Sequence, residues 1–222
     1  LGVTSQRVRD LIHDGALPAR RVAGRFVVDE YALLLLAENR SPGRPLSPRN
    51  AWGLISLLER GDAPDLAPAD RSKLRRRLRD HPNLGDVARW TRRRSVIERL
   101  HVHPGALRRA ITFPGAVRTG ASAQGHDVID PARAEIYLPR AKLAALRRQL
   151  HAEPVDSQQR DRAANLIVHI PAVDGWPFDG NEAGTVTVAV DLWDAGDTRS
   201  RRAARRLYDA ALRAERYEVA HR

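Results

Sequence analysis

Six side chains near the start of the chain have types and spacing suited to gripping a nucleic-acid duplex. Gln6, Arg7 and Arg9 fall together on a helix-forming stretch, and Arg20, Arg21 and Arg25 surround Gly24 in "LPARRVAGRFVV". Amide and guanidinium groups on one helix face match the donor and acceptor patterns that base edges present in the major groove. Arginines on a ribbon suit phosphate oxygens, which orient a protein without reporting base sequence. Ser5 extends the polar face of the helix.

Other constellations point to other chemistry. Two helical stretches are rich in arginine, and Arg71, Arg75, Arg76, Arg79, Arg92 and Arg93 form a candidate second surface for nucleic acid or for an acidic partner. Charge runs on helices are also commonly solvated faces with pairing at i,i+4. Asp191 and Asp194 end the apolar run "TVTVAVDLWD", with Asp127, Asp130 and Glu135 upstream. Carboxylates at strand ends can hold Mg²⁺ for phosphodiester cleavage. A restriction-type nuclease also needs a lysine two residues past its second acid, but Tyr137 stands there, and Lys142 falls on a helix. His81, His101 and His103 invite a metal reading, but no carboxylate lies close in sequence, so capping or core roles are expected. "TGASAQG" lacks the strand–elbow–helix setting of a nucleophilic serine, and no glycine-rich phosphate loop is present. Trp176 in "DGWPFDG" reads as a loop anchor or an aromatic contact for a protein partner.

The formal net charge of +11 over 222 residues favours a polyanionic partner. Arginine outnumbers lysine 36 to 2, a bias that GC-rich coding also produces. The distribution is more telling: residues 46–112 carry 15 Lys/Arg against 7 Asp/Glu, whereas residues 1–45 carry 7 against 5 and residues 113–222 carry 16 against 15. The absence of cysteine excludes disulfides, thiolate zinc sites and a cysteine nucleophile. No apolar run approaches the roughly 20 residues that cross a bilayer, and no signal peptide is visible, so a cytoplasmic protein is expected.

The elements that position these residues follow from periodicity. Thr4 caps a helix over Ser5–Asp14, with Val8, Leu11 and Ile12 inward and Gly15 ending it. A tight hairpin around Ala23-Gly24 follows, then a Leu-rich helix over 30–39 and a Pro/Gly/Ser linker over 40–48. Ser47 and Pro48 open a helix to Glu59 with Ala51, Leu54, Ile55 and Leu58 inward. Further helices are predicted over 68–79, with Leu74 and Leu78 inward, over 84–99, and briefly in "HPGALRRAI". The later segments "AEIYL", "ANLIVHIPAV" and "TVTVAVDL" read as strands, the last as a central one. Helices are predicted over 139–150 and 198–216, the latter capped by Asp197 with Ala203, Leu207, Ala210, Ala211 and Ala214 inward.

Two resemblances extend this reading. Leu1-Gly2-Val3-Thr4, Arg7-Val8-Arg9, Leu11-Ile12, Gly15, Leu17-Pro18-Ala19, Arg21, Gly24-Arg25-Phe26 and Val28 resemble the excisionase-like and MerR-like winged helix-turn-helix domains. Ala23 stands where that family often has glycine. The resemblance implies that a first helix precedes the opening turn, and the sequence contains no methionine; the expectation is that the natural protein has residues upstream. The remainder, through "RPLSPRNAWGLISLL", "VHPGAL", "VRTGASAQGHDV", "EIYL" and "VAVDLWDAGDTRSRRAARRL", is similar to antitoxin-regulators of the AbiEi type. That resemblance implies autorepression of an operon shared with a nucleotidyltransferase-like toxin.

The sequence therefore predicts an α/β (α+β) protein. It comprises a winged helix-turn-helix over 1–40, an Arg-rich helical segment over 46–112 and a mixed α/β domain over 113–222. The expected function is sequence-specific binding of double-stranded DNA by a non-enzymatic transcriptional regulator, the antitoxin of a toxin–antitoxin operon, working without a cofactor or metal and as a homodimer by analogy. The alternatives are a toxin-binding interaction module with secondary DNA binding, and a metal-dependent nuclease.

Overall fold

Punctuation residues set most element boundaries in the computed structural model, which describes residues 5–13, 17, 19–22, 24–28, 44–79, 81–128, 130–155 and 164–220. The chain is a mixed α/β protein of two compact units, Leu1–Arg44 and Pro45–Arg222. In the first, helix α1 (Ser5–His13) precedes β1 (Ala19–Val22) and β2 (Arg25–Val28), which pair antiparallel. Gly24 makes the turn at φ 78°, a left-handed conformation open to a residue without Cβ. Val8 and Ile12 are half-buried on α1, and Leu17 is buried. Thr4, Asp14, Gly15, the helix predicted over 30–39 and residues 40–43 of the linker lie outside the described residues.

The second unit begins as predicted. Ser47 Oγ accepts from Asn50 N at 3.3 Å, Pro48 opens α2 (Pro48–Arg60), and Gly61 closes it in the left-handed region. Ala51, Leu54, Ile55 and Leu58 are buried, and so are Trp52, Gly53 and Leu57, so α2 is enclosed nearly all round. In α3 (Pro68–Leu78) Leu74 is buried and Leu78 half-buried. Helix α4 (Leu84–Trp90) is capped by Asn83, whose Oδ1 accepts from Asp86 N at 2.9 Å.

The helix predicted over 84–99 stops at Trp90. Thr91 Oγ1 donates to Val87 O at 2.8 Å, the chain turns through 91–94, and Ser95–His101 is strand β3. The turn carries Arg94 into the interior, where its charge is met, and leaves the β-branched pair Val96-Ile97 in extended backbone.

Strand β3 joins β4 (Val117–Arg118), β5 (Ala134–Tyr137), β6 (Glu153–Pro154) and β7 (Leu166–Pro171) in one sheet of order β4-β5-β7-β3-β6. The β5/β7 pair is parallel and the others antiparallel. Residues 46–112 and 113–222, expected as separate segments, thus share a sheet: β3 pairs along its length with β7. The parallel pair requires a crossover, which contains α6 (Arg140–Leu150). On one face Leu100, Ala134, Ile136, Leu166, Val168 and Ile170 pack with Leu107 and Ala110 of α5 (Leu107–Ile111) and Leu146 and Leu150 of α6. The opposite face presents Glu135, Tyr137 and His169, a polar set that needs partners above it.

Those partners come from "TVTVAVDL", which is helix α7 (Thr185–Ala195), not the predicted central strand. Val186, Val188, Ala189, Val190, Leu192 and Trp193 are all buried. A segment enclosed on every side has a continuous apolar pattern whichever backbone it adopts, and helix propensity yields to tertiary context. Gly184 precedes α7 without a capping side chain, so Glu59 of α2 supplies one: its Oε1 accepts from Thr187 N at 2.9 Å and Thr187 Oγ1 at 3.0 Å. Gly196 closes α7 at φ 87°.

Asp197 Oδ1 accepts from Ser200 N at 2.9 Å and caps α8 (Thr198–Ala220), as predicted. The inner stripe is Ala203, Ala204 and Tyr208, with Leu207 half-buried. Ala210, predicted inward, is exposed because the stripe turns toward Pro82, whose carbonyl accepts from Tyr208 OH at 3.0 Å. The side chain of Ala214 lies outside the described ones. Among the described residues no helix is long and apolar enough to cross a membrane.

Gly53 marks a close approach of α2 to Leu66. A Cβ there would overlap Leu66 Cδ1 and sit 2.7 Å from Cγ, and Leu66 is buried. Alanine in a helix gains about 0.5–1 kcal/mol over glycine, but overpacking costs about 1–3 kcal/mol. Gly53→Ala is expected to be net destabilising, read as a lower urea midpoint; a raised midpoint would mean that Leu66 moves freely.

Candidate functional site

The N-terminal unit presents its polar residues to solvent. Gln6 and Arg9 are exposed on α1, and Gln6 Nε2 donates to Asp10 Oδ1 at 3.1 Å. Ser5 and Arg7 fall on the same helix, but their side chains lie outside the described ones. Arg20, Arg21 and Arg25 are exposed on the hairpin, and its register sorts them. Arg20 stands opposite Val27, and Val22 opposite Arg25. Side chains alternate along a strand and paired residues share a face, so Arg20 and Arg25 lie on one face and Arg21 on the other. Arg21 rests its guanidinium 5.8 Å from the Phe26 ring centroid. The three arginines predicted to act together therefore divide two and one.

The Arg-rich surface of the larger unit is also divided. Asp62 Oδ1 binds Arg71 Nη1 at 3.2 Å and Arg75 Nη2 at 3.3 Å, so two of the six candidate cations share one carboxylate. Arg77 lies over Trp90 with its guanidinium 4.7 Å from the ring centroid, and Arg89 pairs with Asp86 at 2.9 Å. Arg76, Arg79, Arg92 and Arg93 are exposed and make no ion pair among the described residues. Of the six candidate cations, these four are the ones without an ion pair among the described residues.

Arg94, which falls within the helix predicted over 84–99, is 2 % exposed and lies at the centre of a buried network. Its Nη2 binds Asp191 Oδ1 and, at 2.8 Å, Asp194 Oδ2; its Nε lies 3.2 Å from Asp191 Oδ1 and 3.1 Å from Tyr137 OH. Tyr137 OH donates to Asp191 Oδ1 at 3.1 Å, and Thr119 Oγ1 donates to Asp191 Oδ2. Trp52 Nε1 donates to Arg94 O at 2.9 Å. Asp191 and Asp194 sit one turn apart on α7 and face one cation, a spacing that the helix provides and the predicted strand would not. Burial opposes the charge on Arg94, but the surrounding acids outweigh it and hold its pKa well above the usual value. Burial and Asp191 together push the Tyr137 pKa up, so its hydroxyl remains a donor.

A second line of contacts runs beside the first. Ser95 Oγ lies 3.3 Å from His169 Nδ1, and His169 Nε2 lies 2.7 Å from Glu135 Oε1. Serine, histidine and carboxylate in this order is the arrangement of an activated nucleophile. The electrostatics oppose that use. Burial disfavours charge on His169, yet Asp191 and Glu135 overcome it and raise its pKa above the usual histidine value. While protonated, both ring nitrogens donate and none is left to take the serine proton. In that protonated state the ring is a buried cation between Ser95 and Glu135.

The remaining carboxylates that suggested Mg²⁺ are dispersed and engaged. Asp127 pairs with Arg206 at 2.6 Å, and Asp130 Oδ1 accepts from Ala132 N at 3.0 Å. Among the described residues no group of three or more His, Asp or Glu side chains is arranged to hold a metal ion. His103 Nδ1 accepts from Gly105 N at 3.2 Å, a capping role as expected. Sequence reading missed Arg94, Ser95, Thr119, Tyr137 and His169 as one set, and Glu59 as the cap of α7. The available signals were His169 inside "LIVHIP" and Asp191 inside "VAVDLW", polar side chains in apolar runs that must find partners.

Two outcomes follow from the network. Asp191→Ala leaves a buried guanidinium short of its main partner and is expected to cost about 3–5 kcal/mol of stability, measured by urea unfolding. The raised pKa of His169 means that its stabilising contribution is complete below the unfolded value near 6.5 and is lost as pH rises through the folded value. The wild-type urea midpoint is expected to fall from about pH 6.5 upward, relative to His169→Gln over the same range; parallel profiles would remove His169 as the titrating group.

Comparison with protein-family models, with curated proteins and with solved structures finds no match for this chain.

Proposed function

We propose that the chain is a sequence-specific DNA-binding regulator, the antitoxin of a toxin–antitoxin operon that represses its own promoter. The observation that carries this reading is the N-terminal unit, in which an exposed basic hairpin follows directly on a helix with an exposed polar face. In this reading the unit is a winged helix-turn-helix. Its helix α1 enters the major groove with Ser5, Gln6, Arg7 and Arg9 toward base edges. Arg20 and Arg25, on one face of the ribbon, meet phosphate, while Arg21 braces the opposite face against Phe26. Arg76, Arg79, Arg92 and Arg93 offer a second place for polyanion to lie. The active species is a homodimer on repeated half-sites, located in the cytoplasm, with a nucleotidyltransferase-like toxin as its protein partner.

A second reading, that the larger unit is chiefly a module for binding a toxin, is favoured by the outer edge of β3. Strand β6 pairs with it only at Leu100 and His101, and the preceding Val96 and Ile97 are 44 % and 37 % exposed. An open strand edge with apolar side chains can accept a strand from a partner.

Selection of duplex DNA from a random pool, followed by anisotropy titration, tests the first reading. Arg9→Ala is expected to relax sequence preference by about 1–3 kcal/mol. Arg25→Glu is expected to weaken all duplexes alike and to lower the salt dependence. A chain that selects no sequence and ignores duplex at low salt is not this regulator.

A further inference from the structure

A cavity of about 1040 Å³ opens within the larger unit between α2 and the loop over 172–184. Three aromatic rings build one wall. Trp52 of α2 and Trp176 of the loop both meet Phe178 edge to face, at centroid distances of 5.3 and 5.2 Å. Trp52 is buried, whereas Trp176 is 38 % exposed and presents ring surface to the opening. The loop is fastened to α2 by Arg60, whose Nη1 binds Asp179 Oδ2 at 3.2 Å and whose Nη2 donates to Pro177 O at 3.4 Å. Gly175 turns the loop at φ 89°, between Asp174 and Trp176.

The charge of the lining runs against that of the chain. In a protein of net charge +11, the cavity is lined by Arg49 and Arg60 against five carboxylates. Arg60 is paired with Asp179, while Arg49 donates to the main-chain carbonyl of Asp65 and keeps its charge, so the lining carries five carboxylates against two cations. Glu182 is held by Arg118, and Glu59 by Thr187. Asp65 and Asp174 remain exposed, without an ion pair among the described residues. Aromatic faces beside open carboxylates attract organic cations. A nucleotide would bring its phosphate against the same carboxylates.

We propose that this cavity binds a small planar organic cation, its ring against Trp176 and Phe178 and its charge toward Asp174. None of the lining residues is among those assigned to DNA, and the test contains no DNA. Calorimetric titration of the full chain with N-methylquinolinium is expected to show saturable one-site binding, with naphthoate, an anion of the same shape, not binding. The overall positive charge favours naphthoate at any nonspecific site, so preference for the cation isolates the local field. Asp174→Asn alters an exposed side chain, and Trp176→Ala removes the ring. Each is expected to weaken the cation at least tenfold, with the circular dichroism spectrum unchanged. Affinity retained in Asp174→Asn, equal binding of naphthoate, or no saturation overturns the proposal.

Discussion

The larger unit is organised around one buried cation. Arg94 draws together the turn after α4, the end of α7 through Asp191 and Asp194, strand β5 through Tyr137, and α2 through the bond from Trp52 to its carbonyl. Taking a guanidinium and a carboxylate out of water costs several kcal/mol per ion. The arrangement is stable only because every neighbouring element contributes a hydrogen bond or a charge. The same requirement explains the polar face of the sheet, where Glu135, Tyr137 and His169 would be misplaced beneath a purely apolar layer. One side of the sheet is held by hydrophobic packing against α5 and α6, the other by a connected set of charges beneath α7.

This division separates structural from available charge. Burial and pairing remove Arg94, Arg71, Arg75 and Arg89 from the surface inventory and leave Arg76, Arg79, Arg92 and Arg93. Composition alone counts all eight equally. The hairpin shows a similar sorting, since its register places Arg21 opposite to Arg20 and Arg25. A polyanion meets only the cations that geometry leaves unpaired, so local charge on each face describes recognition better than the total of +11.

Much of the fold was legible where a local residue dictates a local event. Ser47-Pro48 started α2, Asp197 capped α8, and Gly24 turned the hairpin. The two misread segments share a cause. "RRRSVIERL" has the charge pattern of a surface helix, and "TVTVAVDL" the composition of a strand. Each is decided by the other, because Arg94 and Asp191 are 97 residues apart and their ion pair forms only in the folded chain. Local propensity carries no information about a partner so distant. The polar faces of α1 and the hairpin were readable because exposure there follows from simple periodicity, whereas the buried network depends on which elements stack.

Glu59 has a double position that gives the larger unit a lever. The same carboxylate lines the cavity and holds the first amides of α7. Burial raises its pKa, so its proton is sensitive to whatever enters beside it. Displacing or neutralising Glu59 loosens the leading turn of a helix whose far half clasps Arg94. One carboxylate thus joins the cavity wall to the first turn of α7, the helix whose last turns carry Asp191 and Asp194 to Arg94.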